Sequence, residues 1–215
     1  MYVVERICNG LVFRIKKKMP EIDEERAEVI NYGLQLIVGE IPKIFVIALI
    51  AYILRALELT ILALLIMLPY RAFSGGVHLK THIGCIIGTS IFYIGNAVLS
   101  KLIIFEFSYI KYLVMVGVWF FSMIMIKLYA PADTEAVPIL RKKDRRMKKI
   151  SSYITMTLGL VLAVFIKNTV ICNIIIIGTF FQTIAITRFM YKITKNKYGY
   201  EEYYKNEKVK DLKMA

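Results

Sequence analysis

Runs of apolar residues at roughly 34–54, 56–70, 83–100, 109–129, 152–166 and 169–189 dominate this 215-residue chain. A hydrocarbon core about 30 Å thick is crossed by about 20 helical residues. Only helices and closed barrels satisfy every backbone polar group inside it. The runs are continuous rather than alternating, so helices are expected. The chain therefore reads as all-α, a polytopic integral membrane protein with about six transmembrane helices. The second and fifth runs are short for a full crossing. Tilt, local thinning or burial inside the bundle would accommodate them. Pro42 kinks the first span or marks its beginning.

Charge sets the expected orientation. Hydrophobic residues make up 58% of the chain, yet its net charge is +13. Mean hydropathy is +0.59. A soluble domain would not be so apolar and so basic together. With six spans, 25 of the 29 Lys and Arg residues fall on one side, and only Arg55, Lys101, Lys111 and Lys167 on the other. The positive-inside rule places both termini and the 71–82 loop in the cytoplasm. Residues 1–28 begin with Arg6, Arg14, Lys16, Lys17 and Lys18 among scattered apolar residues. That pattern suits an interfacial amphipathic helix better than a secretory signal. Residues 1–215 read as a single membrane-embedded domain, with 190–215 as a basic cytoplasmic tail. Basic residues flanking spans need no nucleic acid to explain them. The run from Arg141 through Lys149 reads as a topological anchor touching anionic membrane lipid. It also reads as a docking surface for an acidic peptide, with Arg141, Lys142 and Lys143 as candidates.

Between the second and third runs lies a polar, glycine-containing segment, Arg71 to Cys85. It holds both histidines, His78 and His82, and one of the three cysteines. A thiol and an imidazole are the parts of a nucleophilic site. The thiolate is the reactive form, favoured by a neighbouring imidazole or a helix N-terminus. Cys85 lies about three residues inside the third span, where the helix dipole favours negative charge. Cys8 and Cys172 read as small packing residues, and no cysteine pair has disulfide or zinc spacing. His82, at i−3 from Cys85, would share its face on a regular helix. His78, at i−7, is about 10 Å away by helical rise and meets the thiol only if the intervening chain folds back. Gly75 and Gly76 permit such irregular backbone. Spacing alone favours His82 slightly.

The segment Arg71…Gly75-Gly76-Val77-His78…Cys85 resembles the signature of the accessory gene regulator protein B family. So does Tyr129-Ala-Pro-Ala-Asp-Thr-Glu-Ala-Val-Pro138 with the basic run after it, and more weakly Gly33-Leu-Gln35 before an apolar run. The resemblance covers nearly the whole chain. It implies a membrane cysteine endopeptidase of Gram-positive quorum sensing with the dyad His78 and Cys85, which overrules the spacing argument for His82. The implied reaction cuts a pheromone precursor and closes its core into a thiolactone or lactone through an acyl-thioester on the enzyme. The implied partner is a precursor peptide with an amphipathic leader and an acidic C-terminal tail.

A thiol protease also needs oxyanion stabilisation and an orienting group for its imidazole. Gln35 is the candidate for the first, and Glu40 and Asp133 for the second. Arg71, Gly75 and Gly76 are candidate substrate-binding residues, Arg71 through the precursor's carboxylates. No cofactor or metal is expected. A homodimer is the assembly to test first. The alternative reading is a transporter of soft metal ions through His78, His82 and Cys85.

Overall fold

The computed structural model describes residues 2–77, 79, 82–103, 108–135 and 138–214. These form α1 (Tyr2–Lys18), α2 (Glu24–Ile53), α3 (Leu57–Ser74), α4 (His82–Leu102), α5 (Ser108–Tyr129), α6 (Lys142–Phe165), α7 (Thr169–Ala185), α8 (Arg188–Ile193) and α9 (Gly199–Met214). Among the described residues there is no strand, only an isolated parallel bridge between Gly75 and Ala132. Among the described residues, four helical stretches are long and apolar enough to cross a membrane: Leu57–Ser74, Ile83–Leu102, Tyr109–Tyr129 and Lys142–Phe165. The described part of α2 from Ile41 to Ile53 and helix α7 are shorter apolar stretches. The protein is a polytopic helical membrane protein.

The chain divides into two compact units, residues 1–50 and 51–215. In the first, Asn31 Nδ2 donates to Asn9 Oδ1 at 2.8 Å and Lys16 pairs with Glu24, joining α1 to α2. Helix α2 continues through Pro42 rather than starting there.

The second unit is organised around α7. This helix packs against α3, α4, α5 and α6. At 17 residues it rises only about 26 Å, less than a bilayer core. Burial against four helices lets it be short, because protein rather than lipid surrounds it. Buried polar groups on it bond across to neighbouring helices, although Asn173 Oδ1 has no partner among the described residues. Asn173 Nδ2 donates to the Ser100 and Ile103 carbonyls at 3.1 and 2.7 Å. Thr183 Oγ1 bonds the Tyr70 and Ser122 hydroxyls at 2.9 and 2.7 Å. Asn168 caps the helix, accepting from the Val170 and Ile171 N–H groups.

Three boundaries differ from the apolar runs. Helix α3 continues to Ser74, and α6 begins at Lys142, ten residues before its apolar run. Arg, Lys and Met are good helix formers, so the turn holding them extends the helix beyond its hydrophobic part. Residues 190–215 are not a plain tail. Tyr191, on α8, and Tyr198, between α8 and α9, are buried in the core of the second unit.

Candidate functional site

Helix α3 ends where Gly75 donates its N–H to the Arg71 carbonyl. The chain then leaves the helix through Gly75 at φ +73° and Gly76 at φ +138°. A side chain on Gly75 would fall on the Ala132 carbonyl, so glycine is required there twice over, by conformation and by close approach. Backbone hydrogen bonds hold the turn against two other segments. Ala132 N–H donates to Ser74 O at 2.8 Å, and Gly76 N–H to Ala132 O at 2.9 Å. Val77 N–H donates to Ala185 O, at the end of α7, at 3.1 Å.

One side chain organises this turn from within. Gln182, fully buried on α7, donates from Nε2 to Ser74 Oγ at 2.8 Å and to Gly75 O at 2.7 Å. Its Oε1 accepts from Arg71 Nη1 at 3.1 Å, while Arg71 Nη2 reaches Val77 O at 3.4 Å. The Arg71 guanidinium also lies 5.8 Å from the Phe92 ring centre on α4. Arg71, Gly75 and Gly76 thus lie in one hydrogen-bonded turn. Arg71 is already engaged by the fold through Gln182 and Val77.

Residues 75–77 and 79 are not helical, and α4 starts at His82. The expected break between α3 and the Cys85 helix is therefore present. Cys85 stands in the first turn of α4, half-buried, where a helix end favours negative charge. Cys8 and Cys172 are both fully buried, and Cys172 Sγ sits 3.5 Å from the Ala163 carbonyl. Of the three thiols, Cys85 alone is not fully buried. His78 and the His82 side chain lie outside the described residues. So do the side chains of Gln35 and Glu40, both on α2 in the first unit. Among the described residues, no three His, Cys, Asp or Glu side chains gather as metal ligands.

Asp133 sits in the connection between α5 and α6, which starts with a cis Ala130–Pro131 bond. Its side chain is fully buried. Oδ2 accepts from Arg145 Nη1 at 3.0 Å, Ile139 N–H at 2.9 Å and Tyr200 N–H at 3.0 Å. Oδ1 has no partner among the described residues. The Asp133 carbonyl accepts from Tyr191 Oη at 2.9 Å, and Tyr198 Oη donates to Ile186 O at 2.8 Å. The two rings stack with centres 4.0 Å apart. Burial pushes both phenols upward in pKa, so they stay neutral donors; Arg188 partly opposes this at Tyr198. A side chain on Gly199 would fall on the Thr134 carbonyl. The C-terminal segment thus clasps the loop that in turn holds Gly75 and Gly76. Arg141 caps α6 and Lys142 and Lys143 occupy its first turn, all exposed. Cations there oppose the helix dipole and add to its attraction for anions.

Gln182, Ser74, Arg145 and the tyrosine clasp were not singled out in the sequence. The signal available for Gln182 was a polar amide inside an apolar run, beside Thr179 and Thr183.

A membrane-embedded helical bundle with a half-buried thiol beside a glycine-built helix break is the class these observations define. The chain matches the Accessory gene regulator B family over residues 8–186, and it belongs to that family. It is 29% identical to a putative AgrB-like protein of Listeria innocua over 201 residues, covering 93% of this chain and 94% of the relative. It is 25% identical to a putative AgrB-like protein of Clostridium acetobutylicum, covering 96% and 95%. The accessory gene regulator protein B of Staphylococcus aureus is 28% identical over 145 residues, covering 67% of this chain and 74% of the relative. No solved structure matches the chain.

Proposed function

We propose that this protein is a membrane cysteine endopeptidase that cleaves a quorum-sensing pheromone precursor and cyclises the released core to a thiolactone or lactone. The observation that carries the reading is the pinned, non-helical turn at 75–77, which His78 follows in the sequence, with the half-buried Cys85 in the first turn of α4. Family membership supports it.

In this mechanism His78 accepts the Cys85 proton, and Sγ attacks the scissile carbonyl. The carbon–nitrogen bond breaks, and the leaving amine takes the proton from His78. The core remains as a thioester on Cys85. A Cys thiol or Ser hydroxyl within the core then attacks that carbonyl, gives up its proton, closes the ring and returns the thiol to Cys85. Exclusion of water keeps the thioester from hydrolysis. The exposed Arg141, Lys142 and Lys143 meet the acidic tail of the precursor.

The decisive assay is precursor cleavage by full-length protein in membranes. Cys85→Ala abolishes release of the C-terminal fragment, while Cys8→Ala and Cys172→Ala retain it. Continued release by Cys85→Ala would overturn the acyl-enzyme route.

We place both termini in the cytoplasm of a Gram-positive cell, from the asymmetry of basic residues. Thiols introduced at Ser108 and Asn168 should then be labelled from outside intact cells, and thiols at Thr134 and Lys205 should not. External labelling at Thr134 contradicts this orientation.

A further inference from the structure

A groove of about 440 Å³ opens where α5 ends, α6 begins and α9 begins. Its walls include Leu128, Pro131, Arg145, Arg146, Lys149 and Tyr200. The charges in it are unequally committed. Arg145 is neutralised by Asp133 and its guanidinium lies 4.2 Å from the Tyr200 ring centre. Glu201, the carboxylate on the rim, is paired with Arg188 at 2.7 Å. Arg146 is exposed and has no carboxylate partner among the described residues. Lys149 donates to the Lys127 carbonyl at 2.8 Å, which leaves its charge uncompensated. The groove therefore has two positive charges to offer an anion.

Two further observations say what kind of anion. Tyr129, Tyr198 and Tyr200 all line the groove. Tyrosines gather at the headgroup level of a membrane, where an apolar ring and a polar tip are both accommodated. Among the exposed residues of α5, Leu113, Val116, Phe120, Ile124 and Leu128 follow one another three or four positions apart. Their helical spacing puts them on a single face, and the last of them is a wall of the groove. An apolar track thus runs along a membrane helix and ends at two uncompensated cations.

We propose that this groove is a binding site for an anionic phospholipid, with the headgroup phosphate between Arg146 and Lys149 and an acyl chain along the α5 stripe. The proposal is independent of the peptidase reading. A soluble anion would use the cations but not the stripe. A zwitterionic lipid would use the stripe but gain little from the cations.

The test uses full-length protein reconstituted with phosphatidylglycerol or phosphatidylcholine, with retained lipid counted by native mass spectrometry after extraction. Phosphatidylglycerol should be retained preferentially. Arg146→Gln with Lys149→Gln should weaken retention about 30-fold, from about 1 kcal/mol per basic residue near an anionic surface. Arg141→Gln with Lys142→Gln removes the same charge outside the groove and should weaken retention far less. The single Arg146→Gln change alters one exposed side chain and should give about a fivefold loss even if the double variant proves unstable. Equal retention of phosphatidylcholine would overturn the proposal, and so would equal loss in the Arg141/Lys142 variant. Displacement by inorganic phosphate or a soluble acidic peptide as readily as by phosphatidylglycerol would assign the groove to a free anion or a peptide instead.

Discussion

Between α3 and α4 the chain turns on two glycines and a set of backbone hydrogen bonds; between α5 and α6 it turns around one buried carboxylate. The two connections touch at Gly75 and Ala132. Asp133 gathers a guanidinium and two N–H groups, and two stacked tyrosines close over it. Gly75 and Gly76 contribute no side chain at all. Their turn takes its shape from Ala132, Ala185 and Gln182. The difference teaches a division of labour. A turn with no side chains of its own is held from outside, by a second loop gathered around a buried carboxylate.

That division is testable by separating stability from activity. The largest effect is expected at the scaffold. Asp133→Ala leaves the Arg145 guanidinium without its partner and should cost about 3–5 kcal/mol. The measurement is thermal unfolding in detergent followed by helical circular dichroism. A variant as stable as the parent would mean that Asp133 is not the keystone of its loop.

Next comes the chemistry. His78→Ala should lower precursor cleavage by about 10²-fold, as loss of a general base does, with the unfolding temperature unchanged. His82→Ala should cost much less. Inactive His82→Ala protein beside active His78→Ala protein would reverse the assignment and return the partner of Cys85 to its own helix.

The smallest effect tests the join between the loops. Gly75→Ala puts a side chain at φ +73° against the Ala132 carbonyl, a strain of about 1–3 kcal/mol. It should reduce cleavage more than it reduces stability, because the turn can yield by separating from Ala132. Gly95→Ala, on α4 with open space around it, should do neither. Equal behaviour of the two variants would show that the close approach at Gly75 is not needed.

Hydropathy alone located all six apolar helices, because burial of backbone in lipid leaves few alternatives to a helix. It missed the basic first turns of α6 and the charged helix α9, since a window that scores hydrophobicity discards polar turns that are nonetheless helical. The break before Cys85 was legible from Gly75 and Gly76, whose backbone freedom is a property of the residue itself. So was the difference between Cys85, at a helix start beside polar residues, and Cys172, inside an apolar run. What tertiary structure alone decided is pairing over long separations. Gln182 meets Ser74 and Gly75 across more than 100 residues, and Tyr200 meets Asp133 across 67. Such contacts depend on which helix faces pack together around α7, and no local pattern encodes that. The chain's own residues thus determined a helical membrane protein with one glycine-hinged thiol segment. Only the packing decided which side chains hold that hinge in place, because a buried amide or carboxylate finds its partners wherever the bundle brings them.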